Sequence, residues 1–167
     1  MRSPAPILVW DCPRDGLAPQ LLRDLESAVK AYAAETGDEN VVVTSGRRTL
    51  RRQAELMAAF SQDQLLALYG RHGTPCYVQS IGEFRQREGR DPSADEVYEI
   101  LRSRADGYIS DHLYGGAVDI AASSVQDIAA LRACLQQQGF RTLDERDQGI
   151  ACLHVSHRGV PRQITRE

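Results

Sequence analysis

The chain lacks any apolar run approaching the ~20 residues needed to cross a bilayer, which sets membrane spanning aside. It also lacks a surplus of basic residues. Twenty Lys and Arg stand against 23 Asp and Glu, a formal charge of −3, which argues against a general nucleic-acid binder because such proteins neutralise phosphates with excess cations. A C-x-x-C pair is missing too. Cys12, Cys76, Cys134 and Cys152 are widely spaced, so neither a zinc ribbon nor a dithiol redox motif is present, and free thiols are expected. There are no internal repeats, low-complexity tracts or long linkers. The opening stretch MRSPAPILVWDCPRDG has only a short apolar patch, broken by Pro4 and Pro6 and ended by Asp11, too short for a signal-peptide core. The protein is therefore expected to be cytoplasmic as synthesised.

What is present suits one soluble domain over 1–167. The chain is 42% hydrophobic and 26% charged, and a chain this long buries roughly two-thirds of its surface without a metal or disulfide staple. Leu21, Leu22, Leu25, Val29 and Tyr32 recur at helical spacing from Leu17 to about Glu35, with Thr36-Gly37 as a stop. Asn40 to Thr44 is a β-branched run too short for a helix and reads as a buried strand. Thr49 is expected to cap a helix through Phe60 that continues past Ser61 to Leu68 and Tyr69. Arg47, Arg48, Arg51 and Arg52 fall together there, and a solvated helix end is expected rather than a basic patch.

The stretch at about 76–107 reads as an insertion, with a short helix at Ile81–Phe84 and a better one from Ser93 to about Arg104, capped by Ser93 and Glu96. Ala117-Val118-Asp119-Ile120-Ala121 is a central strand with one carboxylate in it. Val125 to Gln138 reads as a helix that carries Cys134 into the core, with Gly139 after its end. Phe140–Leu143 and Ile150–Val155 close the fold as strands around a turn. This order predicts an α+β fold with a small, largely antiparallel sheet flanked by helices.

The chemistry concentrates in Ser110-Asp111-His112-Leu113-Tyr114-Gly115-Gly116-Ala117-Val118-Asp119. An imidazole precedes a tight glycine turn, and a carboxylate follows inside an apolar strand, where burial is costly unless the acid is paired or metal-bound. His154, in Cys152-Leu153-His154-Val155-Ser156-His157, arrives from another strand, and alternation puts His154 and His157 on opposite faces. Two histidines and one carboxylate with an open position make a catalytic rather than a structural metal arrangement, and Zn2+ is the ion they favour. Cys152, two residues before His154, is a candidate fourth ligand. His72 has no partner pattern and reads as a surface loop residue.

Ser110-x-His112-x-x-Gly115-x-Ala117-x-Asp119 resembles in full the signature of the zinc D-Ala-D-Ala carboxypeptidases and dipeptidases. That group includes VanX-like dipeptidases, phage L-alanyl-D-glutamate endolysins and, more remotely, hedgehog signalling domains. Ser45-Gly46-Arg47-Arg48 resembles the family's S-G-x-R element, and Leu153-His154-Val155 its final ligand strand. The resemblance spans Val41 to Val155. It implies a hedgehog-type peptidase fold, with zinc held by His112, Asp119 and His154. Arg48, in preference to Arg47, would hold a substrate carboxylate or carbonyl oxygen through its fork of donors. Ser110 would support the turn, while Tyr114 and His157 are further candidates for support or substrate contact. The implied partner is peptidoglycan or a peptide containing a D-amino acid, with no nucleic acid and no membrane.

One departure from the family pattern stands out. Hydrolytic members place an Asp or Glu three residues before the last histidine, to take a proton from water, and here that residue is Ala151. Asp147 ranks first as a replacement, followed by Glu145 and His157. The expected activity is a zinc metallopeptidase cutting next to a D-amino acid; the alternatives are a zinc-binding pseudoenzyme serving recognition or virion structure, and a metal-free binding domain.

Overall fold

Val41, Val42 and Val43 are stiff at χ1 and suit a pleat rather than a helix, and they open strand β2 (Val41–Ser45). The computed structural model describes residues 8–105 and 108–163; the reading of Pro4 and Pro6 and the end of the expected insertion at 107 lie outside them. Four more strands, β1 (Leu8–Trp10), β3 (Ala117–Ala121), β4 (Phe140–Asp144) and β5 (Cys152–His157), complete one sheet in the order β1-β2-β3-β5-β4. The α+β class holds, with a five-stranded mixed sheet and six helices among the described residues. Three pairings are antiparallel, but β1 runs parallel to β2. The sequence reading contained no β1; parallel neighbours need a crossover connection, and helix α1 (Pro19–Thr36) supplies it.

The described residues form two compact units. The first comprises residues 8–47 with Tyr114–Arg162. There α1 buries Leu21, Leu25, Ala28, Val29 and Tyr32, and helix α6 (Ile128–Gln137) buries Leu131, Cys134 and Leu135. Both stripes share a core with Val118, Ile120, Leu153 and Val155 from β3 and β5. Each such side chain, fully buried, contributes about 1.5–3 kcal/mol. Because strand side chains alternate, sending 118, 120, 153 and 155 into this core leaves 119 and 154 on the other face.

The second unit, Arg48–Leu113, packs α2 (Leu50–Ala58), α3 (Gln62–Tyr69), α4 (Cys76–Glu88) and α5 (Ala94–Arg102) around Leu50, Met57, Leu65, Ile81, Val97 and Leu101. The expected insertion at about 76–107 lies within it. The single helix expected from Thr49 to Tyr69 is two, because the Ser61 hydroxyl accepts from the Gln64 N–H while the Gln64 side chain accepts from the Ser61 N–H, which starts a new helix there. Helix α4 is much longer than the expected Ile81–Phe84. Its buried stripe of Tyr77, Val78 and Ile81 is interrupted by polar residues, and Arg85 anchors its end to the Phe60 carbonyl, Gln62 and Asp91. The Ser93–Glu96 capping box is formed as expected. Among the described residues, no helix is long and apolar enough to cross a membrane.

Asp38, only 2% exposed, staples the end of α1 to the segment before α6. Its carboxylate accepts from the Tyr32 hydroxyl at 2.7 Å, the Gln126 N–H at 3.0 Å and the Asn40 N–H at 3.2 Å. Asp127 N–H donates in turn to the Tyr32 hydroxyl, and these bonds hold 126–127 out of the helix, so α6 begins at Ile128 rather than Val125. Burial pushes the Asp38 carboxyl up, but the Gln126, Tyr32 and Asn40 donors outweigh it and the pKa lies below its ordinary value. A carboxyl lowered on folding stabilises the protein above its unfolded pKa, and that stability is lost as pH falls through the folded value. Asp38→Asn is therefore expected to cost about 1–3 kcal/mol at pH 7. The gap from wild type should close as pH drops below about 4, as read by urea unfolding across pH.

Candidate metal centre

In the β3–β5 ladder Asp119 pairs directly with His154. Directly opposed residues share a face, and His154 Nδ1 lies 3.1 Å from Asp119 Oδ1. His112 comes from the 3-10 turn Asp111–Tyr114. That turn is closed by Ser110, whose carbonyl accepts from the Leu113 N–H and whose hydroxyl accepts from the His112 N–H at 3.4 Å.

The glycines that follow have physical reasons. Gly115 has φ +76°, and a Cβ there would sit 2.0 Å from the carbonyl oxygen of Gly16. The backbones meet because the Ala18 N–H donates to the Gly115 carbonyl at 3.0 Å. At Gly116 a Cβ would meet the Tyr114 ring at 2.6 Å, so this glycine makes room for the aromatic.

One ligand atom from each of His112, Asp119 and His154 lies within 4.8 Å of the other two. His112 and Asp119 are buried and His154 is partly so. The set fits zinc: two nitrogens and one oxygen are its usual ligands, and bonds of ~2.0–2.1 Å in tetrahedral geometry put ligand atoms about 3.3 Å apart, close to the Nδ1–Oδ1 separation. Burial pushes the Cys12 thiol up, and the charges of Asp11 and Asp119 push it further. The four cysteines form no disulfide, and Cys134 is buried as expected.

Packing sets the two arginines apart. Arg48 donates its backbone N–H to the His112 carbonyl at 3.0 Å, and its guanidinium donates to Gln53 Oε1 at 3.0 Å. Gln53 is fully buried and donates to the Tyr69 hydroxyl at 2.7 Å, so the Arg48 side chain is held by a fixed amide. Arg47 instead lies against Gly16. Arg51 pairs with Asp95 and Arg52 with Glu55, so these cations face acids, and His72 is exposed.

The candidates for the missing acid separate sharply. Asp147 is exposed in the 3-10 turn Arg146–Gln148. The adjacent Asp144 carboxyl is held down to about 2 by the Arg146 guanidinium. Glu145 is different: its N–H donates to the Cys152 carbonyl at 3.1 Å, and its Oε2 lies 3.1 Å from Cys152 Sγ. Asp119, Glu145 and Cys152 each have a ligand atom within 4.8 Å of the other two.

His157 is not at the surface. It is buried, its edge set against Phe140, with Nδ1 accepting from the Gly159 N–H at 2.9 Å. The proton is therefore on Nε2, which donates to Asp24 on α1 at 2.7 Å. With both ring nitrogens engaged, His157 is a structural residue rather than a base. Sequence reasoning gave Glu145 second place and missed Gln53. Position 145 follows from pairing Leu143 with His154, since two residues along each strand Glu145 meets Cys152; the sequence shows both strands but not that register. Comparisons with protein-family models, with curated proteins and with solved structures return no match to this chain.

Proposed function

We propose that the protein is a zinc-dependent peptidase that cleaves a peptide bond next to a D-amino acid in peptidoglycan stem peptides or their precursors, on a fold of the hedgehog and D-Ala-D-Ala-peptidase type. The observation that carries this reading is the convergence of His112, Asp119 and His154, a three-ligand set of the catalytic kind. Zinc, when bound, polarises a carbonyl and lowers the pKa of water toward ~7. The protein's own residues do the rest. Gly115 sets the turn between the first two ligands, and the β3–β5 pairing aligns the third. Arg48, braced by Gln53, offers a guanidinium suited to the carboxylate of a D-amino acid. Ala151, standing where an acid is expected, favours a second reading in which the protein binds zinc and recognises its target without hydrolysis.

The test is digestion of purified peptidoglycan and D-Ala-D-Ala peptides by zinc-loaded protein, with products identified by mass. New amino groups are expected, lost with a chelator and restored by zinc. Arg48→Ala should keep its zinc and lose roughly 10–100-fold in kcat/KM, the worth of a hydrogen bond to a charged group. Stoichiometric zinc with no new amino groups would favour the second reading.

A further inference from the structure

We infer that Glu145 is the proton acceptor of this reaction, reaching the site from the end of β4 in place of the acid absent at position 151. The inference rests on the peptidase reading and adds the residue that reading lacks. Position 145 continues the face of β4 that carries Leu143 opposite His154. The Glu145 N–H bond to Cys152 extends the β4–β5 ladder by one step, and the Glu145 carbonyl accepts from the Gln148 and Ile150 N–H groups, closing the turn around it. The Glu145 backbone is thus fixed on both sides, and its carboxylate accepts from the Cys152 thiol. Asp147, two residues on, is exposed in the turn that Glu145 closes.

Glu145 and Asp119 oxygens lie within 4.8 Å of each other. Two hydrogen bonds of ~2.7–2.8 Å reach across a separation of that size, so a single water can contact both carboxylates. In the step, the water oxygen bonds to the scissile carbonyl carbon while Glu145 takes its proton. Glu145 then gives that proton to the leaving nitrogen as the C–N bond breaks, so one water is consumed and one carboxyl and one amine are released. Cys152 is a positioning residue, donating to the carboxylate from the opposite strand.

Glu145→Gln keeps the shape and the thiol contact and removes the acceptor. Zinc content, read by elemental analysis, and affinity for a D-Ala-D-Ala peptide, read by calorimetry on the zinc-loaded protein, are expected to stay within about threefold of wild type, while kcat falls by roughly 10²–10⁴. Turnover retained in Glu145→Gln overturns the assignment, as does loss of zinc together with turnover, which makes the residue structural. Turnover surviving in Glu145→Gln and lost in Asp147→Asn gives the role to Asp147. A wild-type protein that binds zinc and peptide and releases nothing overturns the peptidase reading itself, before any variant is compared.

Discussion

Replacing Asp119 with alanine is expected to weaken zinc binding by more than 100-fold while the metal-free protein still folds. Even outer-shell changes typically cost 10–100-fold in metal affinity, and Asp119 is one of three direct candidates. The side chain lies on the face of β3 opposite the core residues Val118 and Ile120, so truncation removes no apolar packing. A buried carboxylate is also expensive to keep without a cation, which limits what the metal-free fold loses. Competition with a chelator gives the affinity, and urea unfolding of the stripped protein gives the stability. If Asp119 served only as the hydrogen-bond partner of His154, the stability would fall and zinc would be bound by neither protein.

Gly115→Ala is expected to act in the opposite way, through the fold. A left-handed conformation costs a non-glycine residue roughly 1–2 kcal/mol. Overpacking against an unyielding neighbour adds about 1–3 kcal/mol, and here the neighbour is a backbone carbonyl 2.0 Å from the new Cβ. A loss of about 2–5 kcal/mol follows, a large share of the 5–15 kcal/mol that holds a typical domain together. Gly37 is the internal comparison. It has a similar φ of +77° with nothing within 4 Å of a Cβ, so Gly37→Ala should cost only the conformational part. Equal losses at the two positions, measured by denaturant unfolding, would mean that the contact with Gly16 plays no part.

Much of this was legible in the residues because it depends on short-range physics. The β-branched run of β2, the apolar strand around Asp119 and the Ser93–Glu96 box are local patterns, and each forms where its pattern lies. The candidate ligand group was legible because a glycine turn of that length lets the chain double back between His112 and Asp119. What stayed hidden depends on partners far along the chain. The start of α6 was displaced by Asp38, some 88 residues away, and β1 is three residues that gain their identity only beside β2. His157 was placed on the correct face, but nothing in its own segment announces Asp24, to which it bonds. That Glu145 continues the face of β4 opposite His154 turned on strand register, which decides which side chains share a face.

The most direct test of the central claim is the metal content of the purified wild-type protein, stripped and then reconstituted with zinc, measured by elemental analysis beside His112→Ala. One zinc per wild-type chain, absent from the variant, is the result expected of a centre built on His112, Asp119 and His154. A wild-type protein that holds no zinc, or a His112→Ala variant that holds as much, would contradict it.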